Sequence, residues 1–291
     1  MKPAPFRYAD PGTLDEALAV LSDEGAGAKV LAGGQSLLPL LSMRLAAPTT
    51  LVDINRVPGL DIVEVTGDGV TVGALVRHNA LLEHGAAARV QPLLARATAN
   101  VAHPAIRNRG TTVGSIAHAD PSGEMTSVLA LTDGSVSVAS SGAAETVGWR
   151  DLFVGPLETS IHGPAVVTSA FFPALPARSG TAFAEVARRK GDYAVCGAAV
   201  VVTLDEDLRV AAVRASYLSV GLTPEVHDLT DAVVGKPVDS ADWAAAGALA
   251  RTRVDPDSDL HASADYRRLL VGVLTERTCA SAGAEAAGRT A

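Results

Sequence analysis

The sequence predicts an α+β protein: a mixed N-terminal part, then a strand-rich segment, then helices. Three observations carry this. The chain shifts from a mixed pattern to three strand-like apolar runs between residues 182 and 220, then to a mostly helical segment from residue 224. No G-x-G-x-x-G opens a helix, and strands and helices do not alternate regularly, so a doubly wound dinucleotide fold is excluded. Two glycine-bearing segments of similar chemistry, Val30–Pro39 and Arg109–Pro121, occur, and the glycines of the first, reached through a short apolar run, let the chain turn sharply or approach a ligand closely.

In chain order, Thr13 followed three residues later by Glu16 reads as a helix N-cap, with Leu14, Leu18 and Leu21 on one face and Gly25 and Gly27 as the stop. Residues 29–31 form a short strand into the first glycine loop. Residues 37–45 have helical spacing up to Pro48, and Thr50–Ile54 is a buried strand. Together these make a β-α-β unit over residues 1–57. Residues 60–65 and 69–75 read as a hairpin across Thr66-Gly67-Asp68-Gly69. Helices are expected at 78–84, 90–102 and 123–131, and strands at 134–138, 146–149 and 165–171. These place a second subdomain at 58–175. Pro173–Gly180 is the expected linker. A third unit, 178–280, begins with strands 182–190, 198–204 and 208–220 and ends in helices with breaks at Gly235-Lys236-Pro237 and Asp255-Pro256-Asp257. The small, polar segment 281–291 is expected to be a disordered tail.

Composition narrows the function classes. The chain has 291 residues, 48% of them hydrophobic but only 4% aromatic, so Val, Leu, Ala and Ile must build the core. Net charge is −8, from 24 basic and 32 acidic side chains, with no basic run. Nucleic acid is therefore not an expected partner. Cys196 and Cys279 stand far apart, which excludes an iron–sulfur cluster or structural zinc site within the chain. No apolar run reaches the length of a membrane span, and the N-terminus has no signal core. The chain is expected to be cytoplasmic.

On local chemistry alone, Gly33-Gly34 suits a tight turn and a phosphate cradle equally. Backbone N–H groups with a serine hydroxyl can hold phosphate oxygens without Lys or Arg. The second loop tips the balance, because two such loops can hold the two ends of one long dinucleotide. The spacing of His78, His103 and His118 fits no common metal site. Asp53 reads as a structural residue at a strand end, and Cys196 as a buried free thiol.

With both loops in view, the chain resembles the FAD-binding medium subunits of the molybdenum hydroxylases, the group that includes xanthine and carbon monoxide dehydrogenases. The resemblance rests on Ala32–Leu37, Leu51-Val52-Asp53-Ile54-Asn55, Gly110–Pro121 and Lys190-Gly191-Asp192-Tyr193-Ala194. It implies a two-part FAD-binding domain of the vanillyl-alcohol-oxidase (PCMH) type, then a three-stranded antiparallel sheet with a helix bundle. It also implies that Leu31, Ala32, Gly33, Gly34, Gln35, Ser36 and Leu37 wrap the diphosphate of FAD from one side. Thr111, Thr112, Gly114 and Ser115 would grip it from the other, with Ala117, His118 and His78 close by. Asp120 and Glu124 would meet ribityl or ribose hydroxyls. Tyr193 would lie against the isoalloxazine ring, with Val167, Lys190 and Asp192 nearby. No residue of the chain is expected to be catalytic or to bind metal.

The same resemblance implies an electron-relay subunit. A small partner would carry two [2Fe–2S] clusters and a large partner molybdopterin cytosine dinucleotide, assembled as a dimer of heterotrimers. Two departures from the family pattern stand out. Ser115-Ile116 replaces the usual Gly-Asn, which should make one loop amide less free. Gln35 replaces the His usual in carbon monoxide dehydrogenases and, with His118, favours an organic substrate such as an aromatic N-heterocycle. The competing readings are a carbon monoxide dehydrogenase medium subunit and a stand-alone FAD-dependent oxidase.

Overall fold

A computed structural model describes residues 2–289. The first layer is a parallel three-stranded sheet of β1 (Arg7–Ala9), β2 (Ala28–Leu31) and β3 (Thr50–Asp53), ordered β1-β3-β2. The helix α1 (Leu14–Glu24) crosses between β1 and β2. The Thr13 side chain accepts the amide of Glu16, and Gly25, at φ 55°, closes the helix. The short α2 (Leu37–Ser42) starts where the first glycine loop ends. Strand β1 was not foreseen: three residues carry too little pattern to register.

The hairpin β4 (Val63–Val65) and β5 (Gly69–Gly73) joins a second sheet. Helices α3 (His78–Leu82), α4 (Gly85–Val90), α5 (Pro92–Thr98) and α6 (Pro104–Arg107) follow. The single helix expected over 90–102 is thus broken, because Pro92 cannot donate a backbone hydrogen bond and instead starts a new helix. The second glycine segment is not a loop throughout. Residues Thr112–His118 form a helix, α7, capped by the Thr111 hydroxyl on the Gly114 amide. The helix α8 (Glu124–Leu131) is buried along most of its length.

Next come β6 (Ser135–Ser140), β7 (Ala143–Gly148), α9 (Trp149–Leu152), the small hairpin β8 (Phe153–Gly155) and β9 (Glu158–Thr159), and β10 (Ala165–Pro173). The second sheet is ordered β4-β5-β10-β6-β7, with β10 antiparallel to both neighbours. One continuous core, including Leu93, Leu94, Ile116, Met125, Leu129 and Phe172, lies under these elements.

The third unit has its own core. Strands β11 (Ser179–Ala187), β12 (Ala194–Leu204) and β13 (Val210–Leu218) pair antiparallel, and the short edge strand β14 (Val226–Asp228) extends the sheet to four. Helices α10 (Trp243–Arg253) and α11 (Ala264–Arg289) pack together, and α11 lies on β11 and β12. The expected linker is partly strand, since Pro173 ends β10 and Ser179, fully buried, opens β11.

The expected tail is also corrected. Residues 281–289 are the last turns of α11, with Ala282 and Ala286 fully buried and Glu285 bonded to the Thr181 amide at 2.8 Å. Small residues there permit close approach: a Cβ on Gly180 would lie 2.0 Å from the Ala282 carbonyl oxygen. Residues 290 and 291 of that expected tail lie outside the described residues.

Candidate functional site

The two glycine segments meet. Gly33, buried between β2 and α2, lies so close to the second segment that a Cβ there would fall 2.3 Å from the Arg109 carbonyl oxygen and 2.8 Å from the Gly110 Cα. Gly34 takes φ 74°, a left-handed turn that glycine makes at little cost. Gly110 in turn has His78 and Gln35 on its open side. The contact between segments far apart in sequence is backbone to backbone, which explains the small residues at both.

Hydrogen-bond bookkeeping shows what this junction presents. The amides of Gly33, Gly34, Gln35, Ser36 and Leu37 donate to no acceptor within the chain, among the described residues. The Ser36 and Ser115 hydroxyls likewise have no partner there. Across the junction, the amides of Thr111 and Val113 also lack an acceptor, whereas Gly114 donates to Thr111 Oγ1 at 3.1 Å and Ser115 to the Thr111 carbonyl at 3.0 Å. The amides of Ser36 and Leu37 are open because they start α2, and those of Gly33, Gly34 and Gln35 extend the run, so five consecutive donors are free to meet an outside acceptor. Consecutive amides around a left-handed residue form an anion-binding concavity. The cost expected from Ser115 does not arise, because it is helical and needs no positive φ.

Side chains on the outer side tie the two segments together. Asn55 Nδ2 donates to the Ala32 carbonyl at 2.8 Å. Arg77 donates through Nη2 to Asn55 Oδ1 at 2.5 Å and through Nη1 to the Arg109 carbonyl at 2.8 Å. Asp53 accepts the Asn55 amide at 2.9 Å and the Tyr8 hydroxyl at 2.6 Å, which is the structural role expected of it. Below the junction the His78 amide donates to the Gly110 carbonyl at 3.0 Å, and its Nδ1 lies 3.3 Å from Thr112 Oγ1. Burial, with a smaller push from Arg107, lowers the His78 imidazole to about 4, so it is neutral at pH 7.

A second cluster gathers where α7 meets α8 and the third unit. His118, at the end of α7, stands 4.0 Å from Asp120. Burial lowers its imidazole, with Asp120 opposing and Lys29 assisting. Asp120 Oδ1 accepts the Ser122 amide at 2.8 Å. The Pro121-Ser122 turn is anchored to the end of β13 by the Ser219 amide, 3.0 Å from the Pro121 carbonyl, and by a 2.8 Å bond between the Ser219 and Ser122 hydroxyls. Tyr193, 66% exposed, enters from the β11–β12 loop. Its hydroxyl is pushed up by partial shielding from water and by the Asp120 and Glu124 carboxylates.

Glu124 rises to about 8, mainly through burial and also through Glu185 and Asp120, and Glu185 rises to about 7 through burial. Glu185 Oε2 has no hydrogen-bond partner. It borders a cavity of about 290 Å³ shared with Asn100, Arg189 and Lys190. The cluster therefore offers oxygen acceptors and one exposed aromatic face, which suits hydroxyl-bearing and planar groups.

Structure thus brings together Leu31–Leu37 with Thr111–Ser115 and His78, and separately His118, Asp120, Glu124 and Tyr193. Asp192 lies 3.7 Å from Arg188 beside Tyr193, Lys190 is exposed, and Ala117 lies on the outer face of α7. Val167 is half-buried in β10, paired with Val138 at a bulge, and α7 packs on that strand. Arg77 and Glu185 escaped the sequence reading. The available signals were a lone cation in the apolar run Ala74-Leu75-Val76 and a carboxylate in a strand that otherwise faces a core.

Comparison with known proteins decides the family. Residues 4–175 match the FAD binding domain in molybdopterin dehydrogenase, and residues 181–282 match the CO dehydrogenase flavoprotein C-terminal domain. The chain belongs to the FAD subunits of the molybdenum hydroxylases. This FAD subunit is 40% identical, over 97% of its own length and 96% of the relative's, to the 6-hydroxypseudooxynicotine dehydrogenase complex subunit alpha of Paenarthrobacter nicotinovorans. It is 31% identical to the carbon monoxide dehydrogenase medium chain of Hydrogenophaga pseudoflava, over 99% and 100% of the two chains.

Among solved structures, quinoline 2-oxidoreductase from Pseudomonas putida 86 superposes with a TM-score of 0.92 at 36% identity, covering 98% and 99% of the two chains. The protein is thus an electron-transfer flavoprotein component of an oxidoreductase, with a two-part FAD-binding domain and a C-terminal sheet-and-helix domain. No helix among the described residues is long and apolar enough to cross a membrane.

Proposed function

We propose that the five open amides 33–37, set against the Thr111–Ser115 segment, hold the diphosphate of FAD. The observation that carries this is the run of unpaired donors at a backbone-to-backbone junction that only glycines allow. A diphosphate supplies the acceptors those amides lack, and backbone donors need no basic cluster. Asp120 and Glu124 then accept hydroxyls of the sugar portion. Tyr193, with Lys190, Asp192 and Val167, borders the flavin ring. The cofactor lies between subdomains 1–57 and 58–175, with the unit 178–280 closing the ring end. FAD supplies the capacity to take up electrons and release them to an acceptor. The chain's own residues bind it, orient it and leave one side open.

The same reading places the protein in the cytoplasm beside a small subunit with [2Fe–2S] clusters and a large subunit with molybdopterin cytosine dinucleotide, as a dimer of heterotrimers. The substrate of the complex is a small organic molecule of the N-heterocycle class. Support comes from similarity: a relative named for a nicotine derivative stands at 40% identity against 31% for the carbon monoxide dehydrogenase medium chain, and among solved structures one named for quinoline stands at 36% against 33% for a carbon monoxide dehydrogenase.

Purification from the native host tests the proposal. Flavin absorbance co-eluting with iron and molybdenum is the expected result. A yellow monomer that turns over an alcohol or amine alone would overturn it, as would a colourless chain. For the clamp itself, Gly33→Ala pushes a methyl into the Arg109 carbonyl and is expected to empty the protein of FAD. Full FAD content in that variant would remove the clamp assignment.

A further inference from the structure

We infer that Asn55 and Arg77 are positioning residues that set the direction in which the clamp's amides point. The inference rests on the diphosphate reading above and extends it to side chains that never reach the cofactor. In a trans peptide the carbonyl of one residue and the N–H of the next point in opposite directions. No cis peptide bond occurs among the described residues. The Ala32 carbonyl is held by Asn55 Nδ2 at 2.8 Å, so the Gly33 N–H is turned away from Asn55. The Gly33 carbonyl is met by Gln35 Nε2 at 3.4 Å, which turns the Gly34 N–H away from that amide group. Arg77 then fixes the second segment by its bond to the Arg109 carbonyl.

The Asn55 side chain is fully used. Its two N–H groups go to the Ala32 carbonyl and, at 2.5 Å, to Asp53 Oδ1, and its oxygen accepts from Arg77. That donor–acceptor pattern belongs to an amide alone. A carboxylate of the same shape would set oxygen against the Ala32 carbonyl and against Asp53. Arg77 makes its two bonds with two nitrogens of one rigid fork, and a lysine, with one nitrogen, does not span the same gap. A left-handed glycine loop has little intrinsic preference for one peptide orientation, so the orientation must be imposed from outside.

The test uses the full chain with Asn55→Asp, Arg77→Met and Arg77→Lys. FAD affinity is measured by fluorescence titration of the flavin-free protein, and the two phosphorus resonances of bound FAD by 31P NMR. Thermal melting of the flavin-free proteins is measured in parallel. Asn55→Asp and Arg77→Met are expected to weaken FAD at least about tenfold and to shift the phosphorus resonances, with Arg77→Lys recovering little. The flavin-free melting temperatures should fall far less than FAD affinity. Wild-type affinity and unchanged phosphorus resonances in both Asn55→Asp and Arg77→Met would overturn the inference while leaving the clamp in place. Loss of melting temperature in proportion to affinity would reduce both residues to general supports and also overturn it. A wild-type chain that binds no FAD would instead remove the clamp reading on which the inference stands.

Discussion

Gly191 lies flat against the imidazole of His103. A Cβ at that position would fall 2.6 Å from His103 Cε1, and the residue has φ 86°. The loop that carries Tyr193 is thus seated on the segment before α6. Gly191→Ala meets two obstacles at once, a left-handed backbone and a ring in the way. We expect a loss of about 1–3 kcal/mol, read as a drop of several degrees in melting temperature. Adding His103→Ala should recover only part of it, because the backbone strain remains. Full recovery in the double variant would show that the ring alone matters.

The two raised carboxyls predict a pH trend with a definite sign. Glu124 and Glu185, raised to about 8 and 7, bind protons in the folded chain that the unfolded chain has already released. Their contribution to stability is therefore present at low pH and lost as pH rises toward 8. His78, lowered to about 4, acts oppositely and adds stability as pH rises from 4 to its ordinary value near 6.5. Between about pH 6.5 and 8 the carboxyls act without that opposition. The flavin-free protein should melt progressively lower across this window, and Glu124→Gln should flatten the slope. A slope unchanged by that substitution would refute the assignment.

The end of α11 predicts a structural role for residues once expected to be loose. Arg96 bonds to the Thr181 carbonyl, to Thr181 Oγ1 at 2.6 Å and to Glu285 at 2.6 Å. Glu285→Ala removes the carboxylate that holds Arg96 and the Thr181 amide, at a cost of about 1–3 kcal/mol by denaturant melting. Deleting residues 281–291 should cost more, because Ala282 and Ala286 lose their burial as well. Equal stability of the truncated and full chains would contradict the packing described.

Both thiols should be silent. Burial pushes Cys196 and Cys279 up to about 12, so neither supplies appreciable thiolate at pH 8. Iodoacetamide should label neither in the native protein and both after denaturation, as mass spectrometry would read directly.

Much of this was legible in the sequence because local chemistry and tertiary structure agree there. The Thr13–Glu16 cap and the Gly33-Gly34 turn each announce their backbone. Local chemistry made the two loops joint holders of one ligand, but nothing local shows that residue 33 meets residue 109 backbone to backbone. Helix α7 was hidden because Gly110-Thr111-Thr112-Val113-Gly114 reads as turn. What makes it helical is the Thr111 cap and the burial of Val113 and Ile116 beneath it. The last turns of α11 were hidden for a related reason. The small residues there look like a featureless tail, yet a Cβ on Gly283 would lie 2.9 Å from the Trp243 ring. Smallness is the packing requirement itself. Arg77 was invisible because one of its partners is a backbone carbonyl and the other, Asn55, lies 22 residues away in sequence.

The joint between Ser219 and the Pro121-Ser122 turn ties the second glycine segment to the third unit. Both glycine segments emerge from the ribosome with the first half of the chain, and their core needs nothing that follows β10 except small contributions from the third unit. The wall that carries Tyr193 is anchored through β13 and backed by α11, the last element to be made. The junction of the two glycine segments thus belongs to the part of the chain made first, and the wall beside it leans on the part made last.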